Sequence, residues 1–270
     1  MRFALRAPPE QRLDLSPLTP ERIAGLDQPA IERIALQTTR APAAVADVFR
    51  VRMGDPARIA IEGGSPRFDN VGAAMGGGEI LLDGEAGLYA GRRMGGGRLE
   101  IRGDAGPWAA SGLLGGTVEI GGDAGERLGG PLAGERSGMA GGVLIVRGNA
   151  AERAGDRLRR GLIVIEGDAG ACPGSRMVAG TLIVCGEAGR LPGYLMRRGT
   201  LVLARSSAPL PPTFVPVGGA DLVFFRLLAR ALAPLSRRAA RLLAGPAQRF
   251  AGDMAVLGKG EILLAGTAAG

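Results

Sequence analysis

Lines of this chain, most of them nineteen residues long, fall into register on a closing glycine. They include 79–97 EILLDGEAGLYAGRRMGGG, 98–116 RLEIRGDAGPWAASGLLGG, 143–161 VLIVRGNAAERAGDRLRRG, 162–180 LIVIEGDAGACPGSRMVAG and 181–199 TLIVCGEAGRLPGYLMRRG. The line 117–142 is the same unit with seven extra residues, and a looser line, 58–78, comes first. Closing glycines stand at Gly78, Gly97, Gly116, Gly142, Gly161, Gly180 and Gly199. Three residues before each sits Met75, Met94, Leu113, Met139, Leu158, Met177 or Met196. A fixed period of this kind means one supersecondary unit stacked on copies of itself.

Each unit opens with alternating apolar residues, such as Leu99 and Ile101, Val118 and Ile120, or Ile163 and Ile165. Period two is a strand with one inward face. A glycine follows, at Gly84, Gly103, Gly122, Gly148, Gly167 or Gly186, where the chain turns. No unit holds ten residues of helical pattern, leucine-rich repeats with their longer units and Asn ladder fit poorly, and nineteen has no six-residue sub-period for a left-handed hexapeptide helix. The fold class expected is all-β: a right-handed parallel β-helix of about nineteen residues per turn, with a C-terminal helix. The hand is taken from the crossover rule for parallel strands. The insertion at 127–138 is expected to bulge from one turn.

Composition fits many tight turns between short buried strands. Glycine accounts for 47 of 270 residues, aromatics for 4% and hydrophobic residues for 46%. Glycine does not recur every third residue, which excludes collagen. There is no histidine and there are two cysteines, Cys172 and Cys185, so no imidazole base, no histidine metal ligand and no CxxC pair is available. The first residues lack the apolar run of an export signal, and the most apolar stretch, 222–235, is too short to span a bilayer. A cytoplasmic protein is expected. Basic residues outnumber acidic ones 33 to 26, and among them Lys259 is the one lysine.

We divide the chain into irregular strands at 1–57 (RLDLSPL, IERIALQ, VADVFRVRMG), the repeat at 58–204, and a C-terminal part at 205–270. That last part should comprise a proline-rich connector, a helix from an N-cap at Asp221 to about Ala244 kinked at Pro234, and a final strand in 258–266. The outward strand position is charged early, at Glu100 and Glu119, and apolar late, at Ile145, Val164, Ile183 and Val202. This stripe needs a cover, either the C-terminal helix or a partner protein.

Residues that could carry chemistry are few. The turn residues Glu85, Asp104, Asp123, Asn149, Asp168 and Glu187 offer one oxygen ligand group per unit. That is too few for calcium, so we read them as bonding local turn amides. No glycine string opens a helix or continues into a phosphate loop. Arginines recur beside the Met column: Arg92, Arg93, Arg157, Arg159, Arg160, Arg176, Arg197 and Arg198. They form a candidate basic strip, either solvated surface or a landing site for a carboxylate- or phosphate-rich ligand. Nucleic acid is not indicated, because few aromatics are present to stack bases. No catalytic residue and no metal site is expected in this chain.

The G-x2-G-x3-G spacing closing on M-x-x-G resembles the glycine-repeat β-helix family over about 45–204. That family comprises the C-terminal domain of the glutamate synthase large subunit and the C subunit of formylmethanofuran dehydrogenase. ADVFRV (46–51), ARIAIEGG (57–64) and GD…GKGEIL (252–263) resemble the latter. Within it, the arginine-rich composition looks most like the bacterial form, the C subunit of formyltransferase/hydrolase complexes. The resemblance implies a noncatalytic scaffold in a complex that moves formyl from formyl-tetrahydromethanopterin to a methanofuran-type carrier and releases formate. It implies an amidohydrolase-like A subunit holding the metal, a B subunit and a formyltransferase D subunit as partners. The carrier's glutamate chain is the polyanion that the strip would meet. Two alternatives are a C subunit of a tungsten or molybdenum formylmethanofuran dehydrogenase and a detached glutamate synthase-like domain of an amidotransferase.

Overall fold

The computed structural model describes residues 1–220 and 223–265. The chain is mostly β. Among the described residues thirteen strands form one large sheet. From one edge to the other they are Phe49–Arg52, Arg2–Leu5, Arg58–Glu62, Glu79–Asp83, Arg98–Ile101, Thr117–Ile120, Ala140–Val146, Arg160–Ile165, Thr181–Ala188, Arg198–Ser206, Lys259–Ala265, Ala247–Gly252 and Val215–Ala220. From Arg58–Glu62 to Lys259–Ala265 every neighbouring pair is parallel.

The register follows the sequence period. Ile80 faces Leu99, Leu99 faces Val118, Ile163 faces Leu182 and Leu182 faces Leu201. Equivalent residues therefore stack about 4.8 Å apart. Ile61, Leu82, Ile101, Ile120, Val146, Ile165, Val184 and Leu203 form a second inward column, and all are buried. Each full burial of such a side chain contributes about 2 kcal/mol.

The alanines of the GDAG-like turns make a second ladder. Ala86, Ala105, Ala124, Ala150, Ala169 and Ala188 pair in succession through single parallel bridges. The Met/Leu column from Met75 to Met196 is buried throughout and belongs to the same core cluster as the inward strand residues and these alanines. The turn glycine before each alanine is forced by close approach: a Cβ on Gly186 would lie 2.2 Å from Asp168 Oδ1 and 2.4 Å from Gly167 O. The inserted residues leave the stack after Gly129 and rejoin at Met139, whose N–H donates to Gly129 O at 2.7 Å.

The flanks differ from the sequence reading in several places. The N-terminal region is partly helical: Pro20–Ile23, Gln28–Glu32 and Val45–Val48 are short helices. The last two take in Ile31 and Val45–Val48, whose sequence pattern points to strands. Pro29 at the first turn, with Asp27 accepting from Ala30 N–H at 2.9 Å, favours helix locally. Phe3, Phe49 and Phe68 close the first turn of the stack, with ring centroids 6.0 and 5.6 Å apart.

At the other end, part of the expected connector is a strand, Val215–Ala220. It extends the sheet antiparallel through Ala247–Gly252 to Lys259–Ala265. The expected single helix is two, Val223–Leu232 and Arg237–Ala244, interrupted around Pro234. Its expected N-cap, Asp221, and the end of the last strand segment, Gly266, lie outside the described residues. No described helix is long and apolar enough to cross a membrane.

Candidate functional site

Two outer surfaces of the stack carry the residues of interest. On the sheet's outer face Ile145, Val164, Ile183 and Val202 stand side by side in register. They are buried in one cluster with Phe225, Leu232, Ala239 and Leu243 of the two helices and Leu263 of the returning strand. Polar contacts fix the helical pair in place. Ser236 caps the second helix, accepting from Ala239 N–H at 3.1 Å, and donates to Glu166 Oε1 at 2.5 Å. Glu166 in turn accepts from Arg147 at 2.8 Å, and Arg147 Nε reaches Glu119 at 3.0 Å.

Cys185 lies under this cover. Burial pushes its thiol up to about 12, because the apolar surroundings disfavour the thiolate; nearby Glu166 adds to the shift and Arg238 opposes it. Cys172 is half-buried, and both cysteines are free. Alkylation by iodoacetamide at pH 8 is therefore expected to label one thiol per chain quickly, at Cys172. Two fast equivalents, counted by mass spectrometry, would contradict the buried placement.

The second surface holds the arginines beside the Met column. Its positions ladder from unit to unit: Arg159 N–H donates to Met139 O at 2.9 Å and Arg197 N–H to Met177 O at 2.8 Å. The eight arginines separate into two sets. Arg92 and Arg93 both reach Glu135 Oε1, at 2.8 and 3.0 Å, and Arg157 donates to Glu135 O at 3.0 Å. Arg176 holds the fully buried carboxylate of Asp156, which also accepts from Ser175 Oγ at 2.8 Å. Arg159, Arg160, Arg197 and Arg198 are exposed and make no side-chain hydrogen bond or ion pair among the described residues. These two pairs lie two units apart, about 10 Å, with Val178 and Ala179 between them.

Glu135 and Asp156 were missed by sequence reasoning. Glu135 arrives on the inserted loop. Burial works against its charge, but the Leu132 amide, Arg92 and Arg93 outweigh burial and hold its carboxyl below the ordinary value. The loop is thereby pinned across Arg92, Arg93 and Arg157, and a groove of about 420 Å³ opens beside it, lined by Arg93, Leu114, Glu135 and Arg136 among others. Asp156 stands five residues before its closing glycine, the position that Ser175 holds in the next unit and Ser111 two units before. The same position carries Arg92 and Tyr194 elsewhere, so the column gives no clear signal for a buried carboxylate.

The stacked turn residues also act differently from expectation. Asp104, Asp123, Asn149 and Asp168 each accept from the backbone N–H of the equivalent residue one unit on, at 2.7–2.8 Å. They stitch successive turns together rather than closing their own, because parallel stacking puts the next amide within reach. Among the described residues no three His, Cys, Asp or Glu side chains group in a way that could hold a metal ion.

No family model matches the chain. A curated relative, the C subunit of the formyltransferase/hydrolase complex Fhc of Methylorubrum extorquens, is 54% identical over 260 residues, covering 96% of this chain and 97% of the relative. The chain belongs to the family of Fhc C subunits. A chain of the crystal structure of the formyltransferase/hydrolase complex FhcABCD from M. extorquens, in complex with methylofuran, superimposes with a TM-score of 0.94 at 41% identity. That match covers 99% of this chain and 100% of the other. In this member of the family, therefore, the repeat, both flanks and the two-helix cover all fall within the shared length.

Proposed function

We propose that this chain is a noncatalytic scaffold subunit of a formyltransferase/hydrolase complex acting in the cytoplasm. The complex would transfer formyl from formyl-tetrahydromethanopterin to a methanofuran-type carrier and release formate. Its partners would be an amidohydrolase-like A subunit with the metal, a B subunit and a formyltransferase D subunit. The observation that carries this reading is the full-length kinship with the Fhc C subunit. The residue inventory supports the scaffold role: no histidine is present and the one strongly perturbed thiol, that of Cys185, is shifted away from reactivity. The architecture we infer is a right-handed parallel β-helix of nineteen residues per turn over 58–204. Residues 1–57 close one end and 205–270 supply the cover and the last strands. The parallel pairing of strands nineteen residues apart supports it, and the hand follows the crossover preference.

Co-expression of the tagged chain with its A, B and D counterparts tests the assignment. A four-subunit species should elute; a chain that elutes alone would overturn the reading.

The basic surface has a role in the same proposal. Glutamate-bearing carriers are polyanions, and Arg159, Arg160, Arg197 and Arg198 are the strip arginines left without an internal counter-charge. Arg92, Arg93, Arg157 and Arg176 shape the surface and hold the inserted loop. Reversing the four free arginines to Glu is expected to weaken carrier affinity by about tenfold or more at low ionic strength, with the difference shrinking as salt is added. Equal affinity at low salt, measured by calorimetry on the whole assembly, would remove the strip from the account.

A further inference from the structure

At the end of the stack, beside the free arginines, the loop after strand Ala247–Gly252 turns apolar side chains outward. Met254, Val256 and Leu257 are 52, 42 and 46% exposed, and next to them Tyr194 and Leu191 are 46 and 43% exposed. Single exposed apolar residues are ordinary, but five on two segments tied to each other make a patch.

The tie is Asp253, whose side chain is buried. Its carboxylate accepts from Leu195 N–H at 3.0 Å and Ala255 N–H at 2.9 Å, and its own N–H donates to Met196 O at 3.3 Å. Its carbonyl accepts from Val256 and Gly258 N–H at 3.2 and 3.0 Å, while Met254 N–H reaches Thr213 O at 3.0 Å. Gly258 completes the turn at φ +66, where a Cβ would stand 3.0 Å from Met254 Sδ. A carboxylate is thus buried and fully used to hold up a crest that adds nothing to the core. A crest fixed in this way has little conformational freedom left to lose on binding.

From these contacts we infer that the 253–258 crest, with Tyr194 and Leu191, is a docking surface for another member of the complex. It fits a partner face with an apolar cleft rimmed by carboxylates. The inference rests on the complex reading above. Charge selects this occupant: Arg190, Arg197, Arg198 and Lys259 around the crest are exposed, and segments 188–198 and 254–260 contain no acidic residue. A second copy of this chain is excluded as occupant, since a two-fold contact would set these cations against each other. Docking here places the free-arginine strip at the edge of the interface, where a carrier passing between partners would meet it.

The test compares wild type with the triple variant Met254→Ser, Val256→Ser, Leu257→Ser, each co-expressed with the A, B and D counterparts. The variant assembly should lose at least one partner on size exclusion, with the dissociation constant raised about tenfold or more. The isolated variant should keep the wild-type unfolding midpoint, because the three side chains are outside the core. Independently of any variant, amides 253–258 should exchange more slowly in the wild-type complex than in the isolated chain. A stable complex that retains all four proteins with the triple variant, or unchanged exchange at 253–258 in wild type, overturns the docking surface alone. A wild-type chain that assembles with nothing overturns the complex reading and this inference with it. Flotation of the isolated chain with phosphatidylserine vesicles, lost in the variant while its complex persists, would reassign the crest to a lipid surface and also overturn it.

Discussion

Replacing Val164 by Asp is expected to detach the two-helix cover from the sheet and cost about 4 kcal/mol. Val164 is fully buried and lies between Ile145 and Ile183 in register, under Phe225, Leu232, Ala239 and Leu243. A carboxylate there would have no hydrogen-bond donor aimed at it from its apolar neighbours. The cheapest relief is to lift the helices and let water in, because the inward columns on the other side of the strand need not move. Unfolding should then show an early transition confined to the C-terminal segment. Limited proteolysis should cut within 223–244 while the repeat stays intact. A single transition at the wild-type midpoint, with the helices still protected, would show that the stripe does not anchor the cover.

Asp156→Ala is expected to have the next largest effect, about 3 kcal/mol. The Asp156 carboxylate is fully buried and is shared between Arg176 and Ser175 Oγ. Deleting it strands a hydroxyl in the column and removes the counter-charge of a guanidinium whose side chain is 31% exposed. That partial exposure lets Arg176 turn toward water, which keeps the cost at the low end for a broken buried pair. Ser175→Ala removes one neutral-to-charged hydrogen bond from the same carboxylate and should cost about 1.5 kcal/mol. Denaturant midpoints of the two variants give the comparison. A loss for Asp156→Ala no greater than that for Ser175→Ala would mean that the ion pair contributes nothing beyond the hydroxyl bond.

The repeat was legible because every unit writes the same instructions twice, once as alternating apolar residues and once as the spacing of glycine and methionine. Ile163 and Ile165 point inward for the same reason that Leu182 and Val184 do, and nineteen residues separate them in both sequence and register. The flanks have no second copy to compare against. VADV at 45–48 alternates like a strand, yet it folds as a short helix with Asp47 accepting from Ala44 N–H at 2.8 Å. Val215–Ala220 contains Pro216 and two glycines and has the composition of a connector. It is nevertheless the outermost strand of the sheet, where proline and glycine are tolerated because one side of the strand has no partner to bond.

The candidate site was legible in its cations and not in their partners. The arginine positions follow from the repeat, since each lies within two residues of the Met column. Which of them remain unpaired depends on Glu135, carried in by an insertion that breaks the period, and on Asp156, in a column whose residue type varies from unit to unit. Long-range pairing of this kind leaves no periodic trace. The crest at 253–258 is similar: it is held by Asp253 bonding Leu195, 58 positions away.

In the proposed function the chain would supply a wall for other proteins to lean on, with no chemistry of its own. Formate release from formyl-tetrahydromethanopterin tests this most directly, assayed for the chain alone and for its A, B and D counterparts with and without it. No formate is expected from the chain alone, and coupled release at full rate is expected when all four are combined. Formate released by the isolated chain, or a full rate from the other three without it, would overturn the scaffold role.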